Sequence, residues 1–303
     1  MASLVVGIPS SGRKELLSRT IEHLSRQVLR PDKVILCTPE DEESQTPEYD
    51  PTLNLIHVQA PKGSCSQRNA MLDMLKGEDG ILLIIDDDFF VHRTYLAAIK
   101  TIMLARPDIA LANGFIIKDG IIGPGIPVAE ANRMLEETQH DPARPVTVQE
   151  KIVGYGCNMA IRLEHARSVR FDENLPLYGW LEDVDFSHQL SRTGKIVDVS
   201  AVAGVHLGIK MGRTPGKKFG YSQIVNPIYL IQKGSMKKRH ALFLMLRNMA
   251  MNVTRSVSPE PYLDRRGRLL GNILGLCDVI RGRINPQAVA LLDRPRPGER
   301  MVL

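Results

Sequence analysis

A run of five large aliphatic residues, Ile81–Ile85, ends directly in three aspartates, Asp86, Asp87 and Asp88. A short, uninterrupted apolar run is typical of a strand buried on both faces, as in parallel sheets covered by helices. Ligands bind to such sheets at the carboxyl ends of the strands. Adjacent carboxylates repel one another, and oxygen-liganded Mg²⁺ or Mn²⁺ relieves that repulsion. The segment therefore predicts a metal site at a sheet edge, with an acidic turn that caps the next element as the alternative.

Strand and helix patterns alternate through the first two thirds of the chain. This alternation predicts an α/β fold with a mainly parallel central sheet flanked by helices. Residues 118–150 are spotted with glycine and proline and poorly periodic, so we predict an insertion or acceptor-side loop there. The predicted strands are Leu4–Ile8, Lys33–Thr38, Leu53–Val58, Ile81–Ile85, Ile109–Ile117, Asn158–Ile161 and Ile196–Val199, and the predicted helices lie near Leu16–Leu24, Ser66–Lys76, Tyr95–Ala105 and Glu182–Arg192.

The chain becomes basic, helical in pattern and methionine-rich beyond His206. Its 303 residues are many for one domain, so we predict one large α/β domain over 1–208 and a basic helical extension over 209–303. The net charge is +5, and several lysine and arginine clusters lie in the extension. Such a zone favours an anionic partner, with a solvated surface as the alternative.

Apolar runs in the extension, such as Ala241–Leu246 and Leu269–Leu274, are too short to span a bilayer. They favour either association with an anionic membrane surface or packing within the protein. The four cysteines form no CxxC pair, which argues against a zinc ribbon and favours reduced thiols in the cytoplasm. We therefore expect a cytoplasmic protein. Peripheral association of the extension with the inner face of the cell membrane and packing of the extension within the protein are the two alternatives.

Several enzyme classes lack their motifs in this sequence. It contains no GxGxxG after the first strand and no GxxxxGK[ST], which argues against a dinucleotide-binding Rossmann site and a P-loop. It also contains no GxSxG and no HExxH, which argues against an α/β-hydrolase and a zincin protease.

Four other polar residues stand out. Glu182 and Asp183 begin a predicted helix, where a carboxylate either favours the helix dipole or acts as a general base. Arg68 lies one turn into a helix and either grips a diphosphate or belongs to an ordinary surface helix. His206 is an isolated histidine in the apolar context Ala203–Gly208 and is either a metal ligand or a packed core residue.

The order and spacing of these elements resemble the family 2 GT-A glycosyltransferases of the bacterial polysaccharide-biosynthesis type. The resemblance covers about residues 3–208 and is more specific as a combination than in any one part. The elements that carry it are Ile8–Arg13, Gln67–Ala70, Ile85–Asp88, Asn158–Arg162, Phe171–Glu173 and Gly179–Phe186.

The resemblance implies a GT-A fold and an inverting, metal-dependent glycosyltransferase. The enzyme would move a sugar from a nucleotide-diphosphate donor, most simply a UDP-sugar, to a hydroxyl of a glycan or polyprenyl-linked acceptor in exopolysaccharide or cell-surface glycan synthesis. No nucleic-acid partner is implied. A nucleotidyltransferase and a non-catalytic module that binds anionic lipid are the alternatives.

The resemblance also implies roles for individual residues. Asp183 would be the catalytic base, and Glu182 would share or replace that role. Asp88 and His206 would hold Mn²⁺ or Mg²⁺. The residues implied to bind the nucleotide-sugar are Pro9, Ser10, Arg13, Glu40, Asp41, Arg68, Asp86, Asp87 and Trp180.

Overall fold

A computed structural model describes residues 2–41, 47, 49–138, 146–210 and 214–292. The chain divides into two compact units. The first comprises residues 1–172 and 182–212, and the second comprises residues 173–181 and 213–303. Segment 173–181 therefore belongs to the second unit, although the sequence placed it in the predicted α/β domain.

A mixed sheet forms the centre of the first unit. Within the described residues its order is β3-β2-β1-β4-β8-β6-β9-β5, and β7 pairs with β9. The strands are β1 (Ser3–Pro9), β2 (Lys33–Pro39), β3 (Leu55–Ala60), β4 (Gly80–Ile85), β5 (Phe89–Val91), β6 (Ile109–Asp119), β7 (Val148–Lys151), β8 (Asn158–Arg162) and β9 (Lys195–His206).

Helices flank this sheet and confirm the predicted α/β class. All six residues of β4 are buried, as the uninterrupted aliphatic run predicted. Leu17, Ile21 and Leu24 recur at helical spacing on α1 and join the same hydrophobic core as β4. The helices of the first unit are α1 (Lys14–Ser25), α2 (Ser64–Met74), α3 (Tyr95–Ala105), α4 (Val128–Glu137), α5 (Leu163–Ala166) and α6 (Glu182–Leu190).

Strand direction is more mixed than the sequence predicted. Strands β3, β2, β1 and β4 are parallel, whereas β8 runs antiparallel to both β4 and β6. Burial on both faces produces the same apolar pattern in either direction, so hydrophobicity alone does not reveal strand direction. The segment predicted as a loop over 118–150 also contains α4 and β7, and Ala131 and Leu135 of α4 are buried in a second core cluster.

The second unit is helical, as predicted for the extension. It contains α7 (Gly216–Lys233), α8 (Lys238–Arg255), α9 (Arg265–Ile280) and a 3-10 helix at Pro286–Leu291. Helices α7 and α9 approach closely at Gly220 and Gly271, where an added Cβ would lie 2.0 Å from a backbone oxygen of the other helix. None of the helices in the described part of the chain has the length and apolar character needed to cross a bilayer.

Two sets of side-chain contacts hold the second unit together. The Asn252 side-chain amide on α8 donates to Gln223 Oε1 on α7 at 2.9 Å and to Asn272 Oδ1 on α9 at 2.8 Å. In segment 173–181, the Trp180 carbonyl accepts a hydrogen bond from Asn226 Nδ2 at 2.9 Å. The Trp180 ring meets the Phe219 ring edge-on at a centroid distance of 6.0 Å.

Candidate active site

The carboxyl ends of three parallel strands meet at one edge of the sheet. Strand β1 pairs with β2 on one side and with β4 on the other, and both pairings are parallel. The residues that follow these strands, from Ser10, Glu40 and Asp86 onward, therefore emerge at the same edge. This is the position at which open α/β sheets bind ligands.

Asp86, Asp88 and His206 come together in this region. Each offers one ligand atom, and these atoms lie within 4.8 Å of one another. Asp86 and Asp88 follow β4, whereas His206 ends β9 and pairs with Phe89 of β5. The turn from β4 into β5 thus brings a histidine that is distant in sequence next to the aspartates. Two carboxylates and one imidazole form a donor set suited to a divalent cation such as Mn²⁺.

A carboxylate and a phenol hold the His206 ring from behind. His206 Nδ1 lies 2.8 Å from Asp119 Oδ1, and Asp119 Oδ2 accepts a hydrogen bond from the Tyr155 hydroxyl at 2.9 Å. Burial works to lower the pKa of His206, but Asp119 and Asp88 together raise it to about 10. Sequence reasoning missed Asp119 and Tyr155. One signal in the sequence could have identified Asp119: it is an acid at the end of an apolar strand, just as Asp86 directly follows the apolar strand β4.

Asp88 has a lowered pKa for the reciprocal reason. Burial alone would raise the pKa of Asp88, but His206, Arg13 and the Ile209 amide together outweigh burial. Asp88 Oδ1 lies 3.4 Å from His206 Nε2, and Oδ2 accepts a hydrogen bond from the Ile209 backbone amide at 2.9 Å. Asp88 is therefore an ionised carboxylate whose Oδ1 faces the imidazole.

Asp87 points toward the β1–α1 turn. Ser10 Oγ donates to Asp87 Oδ2 at 2.7 Å, and Arg13 donates to Oδ1 at 2.9 Å. Burial raises the pKa of Asp87, and Arg13 opposes that shift. Arg13 also lies 3.8 Å from Asp88 Oδ2. One arginine thus offsets the charge of two adjacent aspartates and fixes the turn that follows β1.

Arg68 is a buried connector between two acidic elements. Its guanidinium donates to Glu182 and, at 3.0 Å, to Asp86 Oδ1. It also donates to the Gly156 carbonyl at 3.1 Å and lies 5.4 Å from the centre of the Phe171 ring. The side chain is only 3% exposed, which contradicts the interpretation of Arg68 as an ordinary surface residue.

Glu182 and Asp183 begin α6 in different environments. Glu182 is buried against Arg68, and its Oε2 has no hydrogen-bond partner among the described residues. Asp183 is partly exposed; its Oδ1 accepts from the Val184 amide at 2.9 Å and its Oδ2 from the Gly156 amide at 3.3 Å. Burial by surrounding protein atoms raises the pKa of Asp183, Arg68 opposes that shift, and Asp86 adds to it.

Comparisons with known proteins found similarity at the level of structure only. No protein-family model matches the sequence, and no curated protein matches it. Among solved structures, S. aureus TarS 1–349 in complex with UDP-GlcNAc is 14% identical with a TM-score of 0.54, covering 96% of this chain and 83% of that chain. Mannosyltransferase PcManGT from Pyrobaculum calidifontis in complex with GDP-Man and Mn²⁺ is 16% identical with a TM-score of 0.51, covering 96% and 88%.

A third solved structure has a longer chain. GalNAc-T7 with UDP, GalNAc and Mn²⁺ is 13% identical with a TM-score of 0.55, and the match covers 97% of this chain but 56% of that chain. The chain likewise spans 44% of the longer TarS chain. The chain has a GT-A glycosyltransferase fold. Since all these identities lie far below 25%, the likeness establishes the fold alone.

The GT-A fold brings together most, but not all, of the residues selected from sequence. Ser10, Arg13, Arg68 and the aspartates of Asp86–Asp88 form one connected set of contacts with Glu182, Asp183 and His206. Pro9 ends β1 beside this set. Glu40 and Asp41 are exposed at the end of β2, and no side-chain contact is described for either. Trp180 belongs to the helical unit, and its described contacts lie there.

Proposed function

We propose that this chain is a metal-dependent inverting glycosyltransferase of the family 2 type. It moves a sugar from a nucleotide-diphosphate donor, with a UDP-sugar as the first candidate, to a hydroxyl of a glycan or polyprenyl-linked acceptor. The observation that carries the proposal is the convergence of Asp86, Asp88 and His206 within 4.8 Å at the ligand-binding edge of a GT-A fold. We assign this activity to exopolysaccharide or cell-surface glycan synthesis.

The chemistry of the donor set fits a divalent cation. Asp86 and Asp88 would hold the ion through oxygen, and His206 would hold it through Nε2, because Asp119 occupies the Nδ1 side of the ring. Mn²⁺ accepts both oxygen and imidazole ligands, whereas Mg²⁺ is accommodated mainly through oxygen. When bound, the ion supplies positive charge where negative charge develops on the departing diphosphate.

The residues after β1 and β2 are proposed to hold the nucleotide. Ser10 and Arg13 would lie along it, and Pro9 would support the turn. Both oxygens of Asp87 already accept hydrogen bonds, so we assign Asp87 to orienting Ser10 and Arg13. Exposed Glu40 and Asp41 are proposed to face the nucleobase. Trp180 is still predicted to contact the nucleotide-sugar.

Asp183 is proposed to be the catalytic base, and Glu182 to position it through Arg68. An acceptor hydroxyl gives its proton to the Asp183 carboxylate while its oxygen attacks the anomeric carbon. The bond from that carbon to the diphosphate oxygen breaks in the same step, and the nucleoside diphosphate leaves with the electron pair. A raised pKa makes Asp183 a better proton acceptor than an ordinary aspartate. One displacement of this kind inverts the anomeric configuration.

Donor turnover tests the proposal. The purified chain is incubated with UDP-, GDP- and dTDP-sugars, Mn²⁺ and a panel of glycan and polyprenyl-linked acceptors, and nucleoside diphosphate and product are measured. We expect one donor to be consumed and the anomeric proton coupling of the product to show inversion. Release of pyrophosphate would instead indicate a nucleotidyltransferase. Retention of configuration would contradict the assignment of Asp183 as the base of a single displacement.

A further inference from the structure

Helix α8 presents an exposed apolar stripe about 100° around the helix axis from its buried face. Ala241, Met245 and Asn252 are buried against the helical unit. Leu242, Leu246 and Val253 are each more than half exposed, and Val257 continues their spacing just beyond the helix end at 84% exposure. These positions are separated by 4, 7 and 4 residues, so they lie on one face of a helix with 3.6 residues per turn.

The stripe residues form a contiguous exposed apolar patch. Single exposed apolar residues are ordinary on any protein, whereas a contiguous exposed patch marks an interaction surface. Phe243 adjoins the stripe and is 59% exposed, and the Arg247 guanidinium lies 5.8 Å from the centre of its ring. The stripe therefore has a basic border on at least one side.

The charge around the stripe has one sign. Between Asp198 and Glu260 the sequence contains ten lysine or arginine residues and no acidic residue. Lys237, Lys238 and Arg239 are exposed at the start of α8, and within the described residues none of them forms a salt bridge. An exposed apolar face on a helix whose own charged residues are all cations matches the boundary of an anionic lipid surface, where acyl chains lie below negative head groups.

We propose that the α8 stripe docks on an anionic phospholipid bilayer surface. Leu242, Leu246 and Val253 enter the boundary between head groups and acyl chains, and the basic residues at the helix start contact lipid phosphates. A second copy of the chain would bring two basic faces together, which like-charge repulsion opposes. The inference concerns the helical unit and does not rest on sugar transfer.

Vesicle co-sedimentation of the full chain tests this surface. We expect binding to vesicles that contain phosphatidylglycerol and little binding to pure phosphatidylcholine. The double variant Leu242→Ser/Leu246→Ser removes apolar area from the stripe and should weaken partitioning at least about tenfold. Leu104→Ser is the matched control, because Leu104 is a helical leucine of similar exposure on α3, and it should bind as the unaltered chain does.

Charge reversal provides an independent measurement. Lys237→Glu/Lys238→Glu should weaken binding to phosphatidylglycerol vesicles at least about tenfold and reduce its salt sensitivity, whereas Lys76→Glu, on an exposed lysine of the first unit, should not. Circular dichroism and thermal unfolding verify that the variants fold. Absence of vesicle binding, equal binding to both lipids, or undiminished binding of the stripe variant would overturn the proposal. Light scattering provides a further test. A dimer of the unaltered chain that Leu242→Ser/Leu246→Ser abolishes would overturn the lipid proposal and show that the stripe mediates self-association.

Discussion

His206 Nδ1 lies 2.8 Å from Asp119 Oδ1, on the side of the ring opposite the Asp88 carboxylate. A carboxylate only accepts hydrogen bonds, so Nδ1 carries a proton that it donates to Asp119, and Nε2 is the nitrogen that faces Asp88. Metal-binding histidines are commonly oriented in this way by an acid behind them. The pair thus links β6, where Asp119 ends the strand, to the candidate cation site of Asp86, Asp88 and His206.

Asp119→Asn should weaken Mn²⁺ binding by about 10–100-fold, the usual effect of losing a carboxylate behind a histidine ligand. The amide leaves the shape of the site unchanged but holds the imidazole less firmly. Calorimetric titration of Mn²⁺ measures the affinity. Tyr155→Phe, which removes only the hydroxyl that donates to Asp119, should have a smaller effect in the same direction. Unchanged affinity in Asp119→Asn would show that Asp119 does not position His206.

Asp183→Asn should lower kcat by about 10²–10⁴-fold while nucleotide affinity stays unchanged, because the proton acceptor is lost and the donor contacts remain. Nucleotide affinity is measured by calorimetry and kcat by release of nucleoside diphosphate. Asp185→Asn, which alters a neighbouring acid of α6, serves as a comparison within the same helix turn. A variant that loses nucleotide affinity and kcat together would contradict this assignment.

The pKa of Asp183 predicts how activity depends on pH. Asp183 accepts a proton only when ionised, so kcat/KM should fall as pH decreases through its pKa. Because burial raises that pKa, the acid limb should lie above the value of 3.8 expected for an ordinary aspartate. A pH profile of kcat/KM measures the limb. A limb at the ordinary value would contradict the raised pKa.

Arg68→Met should destabilise the protein by about 3–5 kcal/mol, because it leaves buried Glu182 without its cation. Urea unfolding measures the change in the free energy of unfolding. Arg167→Met is the control: Arg167 pairs with Asp79 at an exposed position, and its loss should cost about 1 kcal/mol or less. Equal effects of the two substitutions would show that the Arg68 pair does not support the fold.

Cysteine labelling tests the packing of the core. Cys37, Cys65 and Cys157 are buried, and burial raises the pKa of the Cys37 thiol to about 12. In the native protein at mildly alkaline pH, iodoacetamide should therefore modify Cys277 first, because Cys277 is partly exposed. Mass spectrometry identifies the labelled residue. Early labelling of Cys37 would contradict the buried position of β2.

The fold was predictable where one pattern leads to one structure. The aliphatic run of β4 predicts a buried strand. Because Asp86–Asp88 directly follow this run, the sequence also predicts that they lie at the carboxyl end of the strand. Strand direction was not predictable, because β8 is apolar whether it runs parallel or antiparallel to β4. Helix α4 was missed because its buried residues are few, Ala131 and Leu135, within a stretch spotted with glycine and proline.

The candidate site was predictable as a set of residues but not as a set of contacts. Local sequence does not indicate that Asp87 turns toward Ser10 and Arg13 while Asp88 turns toward His206. It also does not indicate that Arg68 pairs with Glu182, which lies 114 positions away in the chain. The contacts of Asp87 depend on β1 and β4 being neighbours, and the Asp88–His206 contact depends on the pairing of β5 with β9; both pairings are properties of topology.

We infer that the Asp86, Asp88 and His206 cluster binds a divalent ion together with a nucleoside diphosphate. Calorimetric titration of UDP, GDP and dTDP into the full chain, with and without Mn²⁺, tests it most directly. We predict that one nucleotide binds at least about tenfold more tightly with Mn²⁺, and that Asp88→Ala abolishes this gain. Absence of binding by all three nucleotides in both conditions, or a gain that persists in Asp88→Ala, would contradict the account.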